Sequence, residues 1–514
     1  MTTSENRPPR RSGGAQPAHG APDDTAPPLR PELVKGTLFW GVALPFLNKA
    51  ISIATSLVLV RLLAPEIFGQ YGLVSAILLF SFTISMDRFM ARSFFEEDAR
   101  ARYAAHLSFG ALLHIAIFSV LNLTLWLAPL PAPYQEIAPY AHLASLALLL
   151  NVPRIFYSSH LQRLLAWREL RSLHLISAVL TSSAAIGLAL HGAGVYALVA
   201  QNLITPAPYI IALLLRRPDL LRITRSLSGY RETLRFGTLR SVAAMAQSAR
   251  PLAEATAFTA AKGFAEFGVY GRAIGLGRLT AAWLADQIAV TALPMLARLE
   301  PGSDAARRAA GLVVRLALWT SAPLAVAMAL FAETATTLLY GPAWAAVIPL
   351  VAPALALAVA ATLLRGLSLV LLTTAGAGAS LALDAALLAA ALLALWIALP
   401  LGPLIYAWAL VAADGAILIC ALGVLLWRGA LGLRDLAATA IPPAALGALG
   451  ALGAQSETIA ALDAAQSPLA MLGAAALCVL IALALARLFD RAGLSEACRL
   501  APGGDRIARL LRLS

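Results

Sequence analysis

Residues 36–72 read GTLFWGVALPFLNKAISIATSLVLVRLLAPEIFGQYG, and residues 237–271 read GTLRSVAAMAQSARPLAEATAFTAAKGFAEFGVYG. Both segments begin with Gly-Thr, place a cation thirteen residues after that glycine and end on Phe-Gly-x-Tyr-Gly. The cations are Lys49 and Arg250, and the offset between the copies changes from 201 to 199 residues along the segment. A repeated apolar segment that keeps a charge near its middle predicts a two-lobed membrane protein with a polar interior between the lobes.

The composition of the whole chain is that of a helical membrane protein. Of its 514 residues 60% are hydrophobic and 13% are charged, and the mean hydropathy is +0.78. Apolar runs long enough to cross a bilayer recur along the chain, whereas the alternating pattern of a transmembrane barrel does not. We therefore predict an all-α polytopic membrane protein with about fourteen transmembrane helices.

These predicted spans divide into two pseudo-symmetric lobes of six helices each and a final pair. Because each lobe holds an even number of spans, both lobes enter the membrane in the same orientation. The predicted segments, in chain order, are a disordered tail at 1–34, the N-terminal lobe at 35–215, a basic linker at 216–235, the C-terminal lobe at 236–430, two further spans at 431–487 and a basic amphipathic tail at 488–514.

The lysines and arginines predict the orientation of the chain. With the N-terminus inside, the inner segments hold 29 of the 39 lysines and arginines, and the outer loops hold only Arg61 and Lys262. Positive residues concentrate on the cytoplasmic side of membrane proteins, so both termini are predicted to be cytoplasmic. The same distribution accounts for the net charge of +12 without a nucleic-acid partner.

The outer loops argue against an enzyme. The longest of them, 333–344 and 455–467, have about a dozen residues and few charges. A membrane-embedded polymerase or ligase needs larger loops that carry acidic, basic or arginine groups. The three cysteines are far apart, and the chain has no metal-binding, redox or phosphate-loop motif, so neither a metal nor a cofactor is predicted.

Ionisable residues inside the predicted spans are the candidates for function. Such a group near the bilayer centre costs about 2.5–3.5 kcal/mol, so it persists mainly beside a partner or a cavity. Pseudo-symmetry puts Lys49 and Arg250 on opposing walls of one cleft, where two cations suit a phosphate or pyrophosphate. Glu254 lies one helical turn after Arg250 and leaves a second interpretation open, in which the two neutralise each other.

Other intramembrane charges extend this candidate set. Asp87 and Asp286 occupy equivalent places in the second span of each lobe, where they could orient cations, bind a coupling ion or serve structure alone. Arg272 and Arg278 are six residues apart, so they do not share a helix face, and we expect one of them to line a cavity. The further cations assigned to the cleft are Arg154, Arg365, Arg272 and Arg278.

Three short segments carry a resemblance to a known family. Residues 61–72, RLLAPEIFGQYG, resemble the signature that follows the first span of polysaccharide-biosynthesis flippases. These are the Wzx-type exporters of the multidrug/oligosaccharidyl-lipid/polysaccharide superfamily. Residues 268–270 with 293–298 resemble the corresponding second-lobe segment, and 341–344 resemble the loop after the family's ninth span. The similarity covers roughly residues 35–430.

The resemblance implies two six-helix lobes that face each other in a V and alternate their access to the two sides of the bacterial inner membrane. It implies a substrate, undecaprenyl-pyrophosphate-linked oligosaccharide for O-antigen, capsule or exopolysaccharide, held by a cationic lumen that Lys49 and Arg250 match by position and charge. The implied partners are this lipid-linked substrate, membrane lipids and the polysaccharide polymerase or export machinery.

Two other functions stay open at this point. A drug or cation antiporter of the same superfamily predicts acidic cleft walls, whereas the repeated central pair here is basic. A polysaccharide polymerase or ligase is disfavoured by the short outer loops.

Overall fold

A computed structural model describes residues 31–91, 102–227, 230–279, 304–375, 377–427 and 433–489, together with residue 495. These residues form helices and short connections without any β-strand. The helices are α1 Pro31–Leu62, α2 Pro65–Ser81, α3 Met86–Met90, α4 Tyr103–Leu127, α5 Ala132–Arg163, α6 Trp167–Leu190, α7 Val195–Ile204, α8 Ala207–Arg216, α9 Arg231–Gly277, α10 Asp304–Leu330, α11 Ala332–Leu339, α12 Ile348–Ala375, α13 Ala377–Ile397, α14 Pro403–Trp427, α15 Leu433–Gly453, α16 Glu457–Ala464 and α17 Pro468–Phe489.

The helices confirm an all-α polytopic membrane protein. Within the described residues, nine helical segments are long and apolar enough to cross a membrane. A tenth is added if Ser321–Leu330 and Ala332–Leu339, which meet at 93°, form one broken span. Helices occupy most of the described part of each lobe, with breaks such as residues 82–85 between α2 and α3. The long helices α5 and α9 are not among these nine segments, and they carry several of the candidate charged residues.

The two copies of the repeated segment break at equivalent places. In the first copy α1 ends at Leu62 and α2 begins at Pro65. In the second copy α9 continues but kinks at Gly263, whose φ of 83° and ψ of 173° are strained for any residue with a Cβ. Each Phe-Gly-x-Tyr-Gly motif therefore stands near the start of a new helical segment.

These two new segments cross each other with their backbones in contact. A Cβ added to Gly69 would collide with the carbonyl oxygen of Phe264, and a Cβ added to Gly268 would collide with that of Pro65. The same offset of 199 residues separates Gly69 from Gly268 and Pro65 from Phe264, so the contact is reciprocal. The repeated motif thus forms the pseudo-symmetric contact between the two lobes, at the end of the bundle predicted to face outward.

The connection after α11 covers this crossing. Trp344 is buried, and its indole Nε1 donates a hydrogen bond of 2.8 Å to the carbonyl of Val60 at the end of α1. Its ring meets Phe68 edge-on at 5.5 Å between centroids. Tyr340 donates to the carbonyl of Arg272 at 3.2 Å. One short segment therefore joins the end of α1 to the second part of α9.

The last two long helices attach to the C-terminal lobe. α15 and α17 pack on α10 and on each other. Between them, α16 is held by Asp463, whose carboxylate accepts hydrogen bonds from the backbone N–H of Glu333 and of Thr334 at 3.1 and 2.8 Å. A carboxylate at these N–H groups satisfies donors that the start of α11 leaves open.

Several boundaries differ from the predicted segments. α1 begins at Pro31, inside the predicted tail of 1–34, and α9 begins at Arg231, inside the predicted linker of 216–235. Each helix extends into the adjoining polar segment, because polar residues such as glutamate and arginine continue a helix beyond its apolar part. The rest of the N-terminal tail, most of the predicted C-terminal tail and Asp286 lie outside the described residues.

The glycine crossing predicts opposite effects for two neighbouring Gly-to-Ala substitutions. Gly268→Ala should lower thermal stability because the new methyl group overpacks the lobe contact, at a cost of about 1–3 kcal/mol. Gly271→Ala is the matched control in the same motif, since its Cβ meets nothing within 4 Å. Removal of a helical glycine should leave stability unchanged or raise it by roughly 0.5–1 kcal/mol. Thermal unfolding followed by tryptophan fluorescence measures both, and equal effects would contradict the crossing.

Candidate functional site: a cationic cleft

A cavity of about 400 Å³ lies among α1, α2, α5, α6, α7, α8 and the second part of α9. A second cavity, of about 260 Å³, lies between α1 and the start of α6. Asn48, Ser52 and His174 line both, so the two adjoin and are called the cleft below. The cleft is a feature of the N-terminal lobe to which the C-terminal lobe adds one side chain, Arg272.

Four cations line the cleft. They are Lys49, Arg154, Arg171 and Arg272, which come from α1, α5, α6 and α9 respectively. No carboxylate is among the described residues that line it, and none of these four cations forms an ion pair within the described part of the chain. The cleft therefore carries four positive charges that form no ion pair among the described residues, and the carboxylate of Asp87 acts on Arg154 only at longer range.

The arginines are held by neutral partners. Arg154 donates from Nε to the side-chain oxygen of Asn151, one turn earlier on α5. Arg272 donates to the hydroxyl of Ser56 at 3.1 Å, and its guanidinium lies 4.1 Å above the ring of Phe68. These contacts orient the guanidinium groups without neutralising them, so both keep donors for an anionic ligand.

Hydroxyl groups line a further part of the cleft. The face of α6 presents Ser177, Thr181 and Ser182, and Ser182 accepts a hydrogen bond of 2.7 Å from Thr55 of α1. Gln201 of α7 and Thr205, which directly follows α7, continue this lining. Hydroxyl and amide side chains both donate and accept, which matches the hydroxyl groups of a sugar.

The cleft unites some of the predicted site residues and leaves others outside. Lys49, Arg154 and Arg272 line it together. Arg278, at the end of the same helical segment as Arg272, and Arg365, on α12, are exposed and do not line it. Asp87 is exposed in the first turn of α3 and does not line it either.

Arg171 is a cleft residue that the sequence prediction missed. It lies in the first turns of α6, which begins at Trp167, and the polar residues there make hydropathy place this stretch in a loop. A sequence signal was available. Polar residues recur at helical spacing along this apolar span, and they form one stripe: Arg171, His174, Ser177, Thr181 and Ser182.

Arg250 lies in a different environment from Lys49. Its Nε donates to Glu254 at 3.0 Å, and its terminal nitrogens donate to Asp414 of α14 at 3.2 and 3.4 Å. It is not among the residues that line the cleft. At the offset of 201 that relates Lys49 to Arg250, Glu254 corresponds to Ile53, so the first copy has no carboxylate at this place.

The sequence matches a known family over more than half of its length. The model of the family described as "Polysaccharide biosynthesis protein" matches residues 58–349. The chain belongs to this polysaccharide biosynthesis family. No curated protein matches it significantly. The matched range includes Arg154, Arg171 and Arg272 of the cleft, and the first residue of the match lies nine positions after Lys49.

Solved structures share the fold. The lipid II flippase MurJ in an inward closed conformation is 10% identical, with 88% of this chain and 99% of that chain covered at a TM-score of 0.65. A multidrug resistance MATE family transporter of the MOP superfamily, in an inward-facing conformation, is 16% identical, with 76% and 95% covered at a TM-score of 0.55. At these identities the likeness establishes a multi-pass transporter fold and not a substrate.

The ion pairs of Arg250 predict unequal effects for two aspartates on neighbouring helices. Asp414→Ala leaves Arg250 paired with Glu254 alone, and the loss of its charge-assisted hydrogen bonds to Asp414 should cost about 1.5–3 kcal/mol. Asp384→Ala is the control, because Asp384 accepts one more exposed hydrogen bond, from Gln247 at 3.1 Å. We expect it to cost about 1 kcal/mol or less. Thermal unfolding compares them, and a larger loss for Asp384→Ala would contradict the assignment.

Proposed function

We propose that this protein is a flippase that moves an undecaprenyl-pyrophosphate-linked oligosaccharide from the cytoplasmic to the outer leaflet of a bacterial inner membrane. The observation that carries the proposal is the set of four cations, Lys49, Arg154, Arg171 and Arg272, that line one cleft without a carboxylate. Membership of the polysaccharide biosynthesis family supports a substrate that carries an oligosaccharide.

The charge of the cleft favours an anionic head group. A cation inside a membrane protein is costly unless it meets an opposite charge or water. A pyrophosphate diester carries a negative charge on each of its two phosphates and offers several oxygens, so it can engage Arg154 and Arg272 at once. Arginine suits this task because its planar fork of donors matches phosphate oxygens.

The same charge disfavours transport of cationic drugs. A cationic drug would be repelled by Lys49 and the three arginines, and the lining residues include no carboxylate to attract it. The likeness to a MATE transporter concerns the fold, and nothing in the cleft favours that function.

The rest of the cleft suits the glycan that follows the pyrophosphate. The hydroxyl groups of α6 and the amide of Gln201 offer donors and acceptors to sugar hydroxyl groups, and Tyr71 adds an aromatic ring. The polyprenyl tail is apolar and would stay in the bilayer. The glycan in this proposal is a repeat unit of O-antigen, capsule or exopolysaccharide, which a polymerase or export machinery then uses.

The lobe contact supports transport by alternating access. The crossing of Gly69 and Gly268 closes the end of the bundle where α1 ends, and Lys49 and Arg171 lie nearer the opposite end. With the predicted orientation, that opposite end is cytoplasmic, and the head group would enter past these two cations. Separation of the glycine crossing would then release it on the outer side.

Complementation of polysaccharide export tests this function. The gene for this protein is deleted in its native bacterium, and the wild-type gene or a single variant is then reintroduced. Surface polysaccharide is quantified in each strain. Arg154→Gln and Arg272→Gln should each reduce export at least about tenfold, because a charge-assisted hydrogen bond contributes about 1.5–3 kcal/mol. Lipid-linked oligosaccharide should accumulate on the cytoplasmic leaflet in these strains.

Arg278→Gln is the matched control, since Arg278 lies on the same helical segment as Arg272 but is exposed and outside the cleft. It should support normal export at equal protein level. Normal export by both cleft variants would contradict the proposed site. Unchanged polysaccharide in the deletion strain, together with increased sensitivity to cationic drugs, would contradict the proposed function.

A further inference from the structure

The segment that joins the two lobes exposes apolar side chains next to arginines. Residues 221–227, with the sequence LRITRSL, connect α8 to α9 without regular secondary structure. Ile223 is 81% exposed, and Leu221 and Leu227 are 36% and 39% exposed. Arg222 and Arg225 between them are exposed as well. Apolar side chains this close together on a surface mark an interaction site for a protein or a membrane.

Two contacts hold this segment beside an apolar span of the N-terminal lobe. The backbone N–H of Thr224 donates to the hydroxyl of Ser108 on α4 at 2.8 Å. Ser108 comes five residues after Tyr103, where that span begins, so Thr224 lies about 7.5 Å along the helix from its end. Leu220, directly before the segment, is buried in the core of the same lobe. The segment therefore lies at the edge of the membrane, which is the cytoplasmic edge in the predicted orientation.

The arginines of this segment lack carboxylate partners. Arg222 and Arg225 form no ion pair within the described part of the chain. Arg217, just before the segment, is different, because it is paired with Asp219 at 3.1 Å. The guanidinium groups of Arg222 and Arg225 therefore keep their donors for an anion that comes from outside the protein.

The first turns of α9 continue the same combination of side chains. Arg231 and Arg235 are exposed there, and the described residues offer neither of them an ion pair. Leu234 and Leu239 are 36% and 73% exposed. Residues 221–227 and 231–239 are together called the linker surface below.

Charge and position select what covers the linker surface. A second copy of the surface would bring arginines against arginines, and like charges repel. Neutral lipid would cover the apolar side chains but would leave the arginines without a counter-charge. A leaflet that contains anionic phospholipids supplies phosphates for Arg222 and Arg225 and an apolar layer for Ile223, at the depth where the segment is held.

We propose that the linker surface binds anionic phospholipids of the cytoplasmic leaflet. Its apolar side chains enter the boundary between head groups and acyl chains, and its arginines contact the lipid phosphates. None of its residues lines the cleft, so the site does not depend on which substrate the cleft binds.

A fluorescent label at position 223 of the full-length protein tests the proposal. Cys420→Ser, Cys478→Ala and Cys498→Ser remove the three native thiols, and Ile223→Cys supplies a single one for an NBD label. The labelled protein is placed in nanodiscs of phosphatidylcholine. Replacing part of that lipid with phosphatidylglycerol should shift the emission to the blue, and a nitroxide on the acyl chains should quench it. Added salt should reverse the shift, because it screens the attraction between arginines and phosphates.

Two further variants separate charge from position. Arg222→Gln combined with Arg225→Gln should raise the fraction of phosphatidylglycerol that gives half of the blue shift at least about fivefold, because each arginine near an anionic surface strengthens binding about fivefold. Gln135→Cys is the matched label position, since Gln135 is exposed in the first turn of α5 beside Glu136 and not beside arginines. A label there should not respond to phosphatidylglycerol.

Three results would overturn the proposal. In the first, emission from position 223 ignores phosphatidylglycerol and is quenched by iodide in the buffer, which means that the segment stays in water. In the second, nitroxide lipid quenches the label equally with and without phosphatidylglycerol and both arginines, which excludes an anionic lipid as the partner. In the third, neither quencher reaches a blue-shifted label, which means that protein covers residue 223. None of these results bears on the cleft, so failure here is distinct from failure of the proposed flippase function.

Discussion

A charged side chain inside a bilayer is costly unless an opposite charge or water accompanies it. The structure places four cations in one cleft, and no carboxylate is among the described residues that line it. Lys49, Arg154, Arg171 and Arg272 converge on one cleft. The three arginines contact an amide, a hydroxyl and aromatic rings there. Such an arrangement is costly in a membrane unless water or an anion fills the cleft. The charge of the cleft is thus the feature on which the proposal of an anionic, lipid-linked substrate rests.

The two copies of the repeated segment form the contact between the lobes, whereas the surroundings of their central cations differ. The two copies still pack reciprocally, since Gly69 meets the second copy where Gly268 meets the first. Their central cations have separated in role. Lys49 lines the cleft, whereas Arg250 is bound by Glu254 and Asp414. One lobe consequently lines most of the cleft, and the other holds Arg250 with its two carboxylates and contributes Arg272 to the cleft.

Apolar periodicity and the repeat were enough to predict the helices, because each span must satisfy its own backbone in the membrane. The cleft was only partly predictable. Lys49, Arg154 and Arg272 were chosen as intramembrane cations, but Arg171 stands in a polar first turn that hydropathy assigns to a loop. The partner of Arg250 on α14 is 164 residues away, and spacing along one helix could indicate only Glu254. Helix packing, which brings such residues together, is not encoded in periodicity.

The most direct measurement of the central claim is a cryo-electron microscopy structure of the protein in nanodiscs with undecaprenyl pyrophosphate. The account predicts density for the two phosphates in the cleft, within hydrogen-bond distance of Arg154 and Arg272, with Arg250 still bound to Asp414. Phosphate density against Arg250 in the C-terminal lobe would contradict it. A cleft without phosphate, in which carboxylates have moved to pair with the four cations, would contradict it as well.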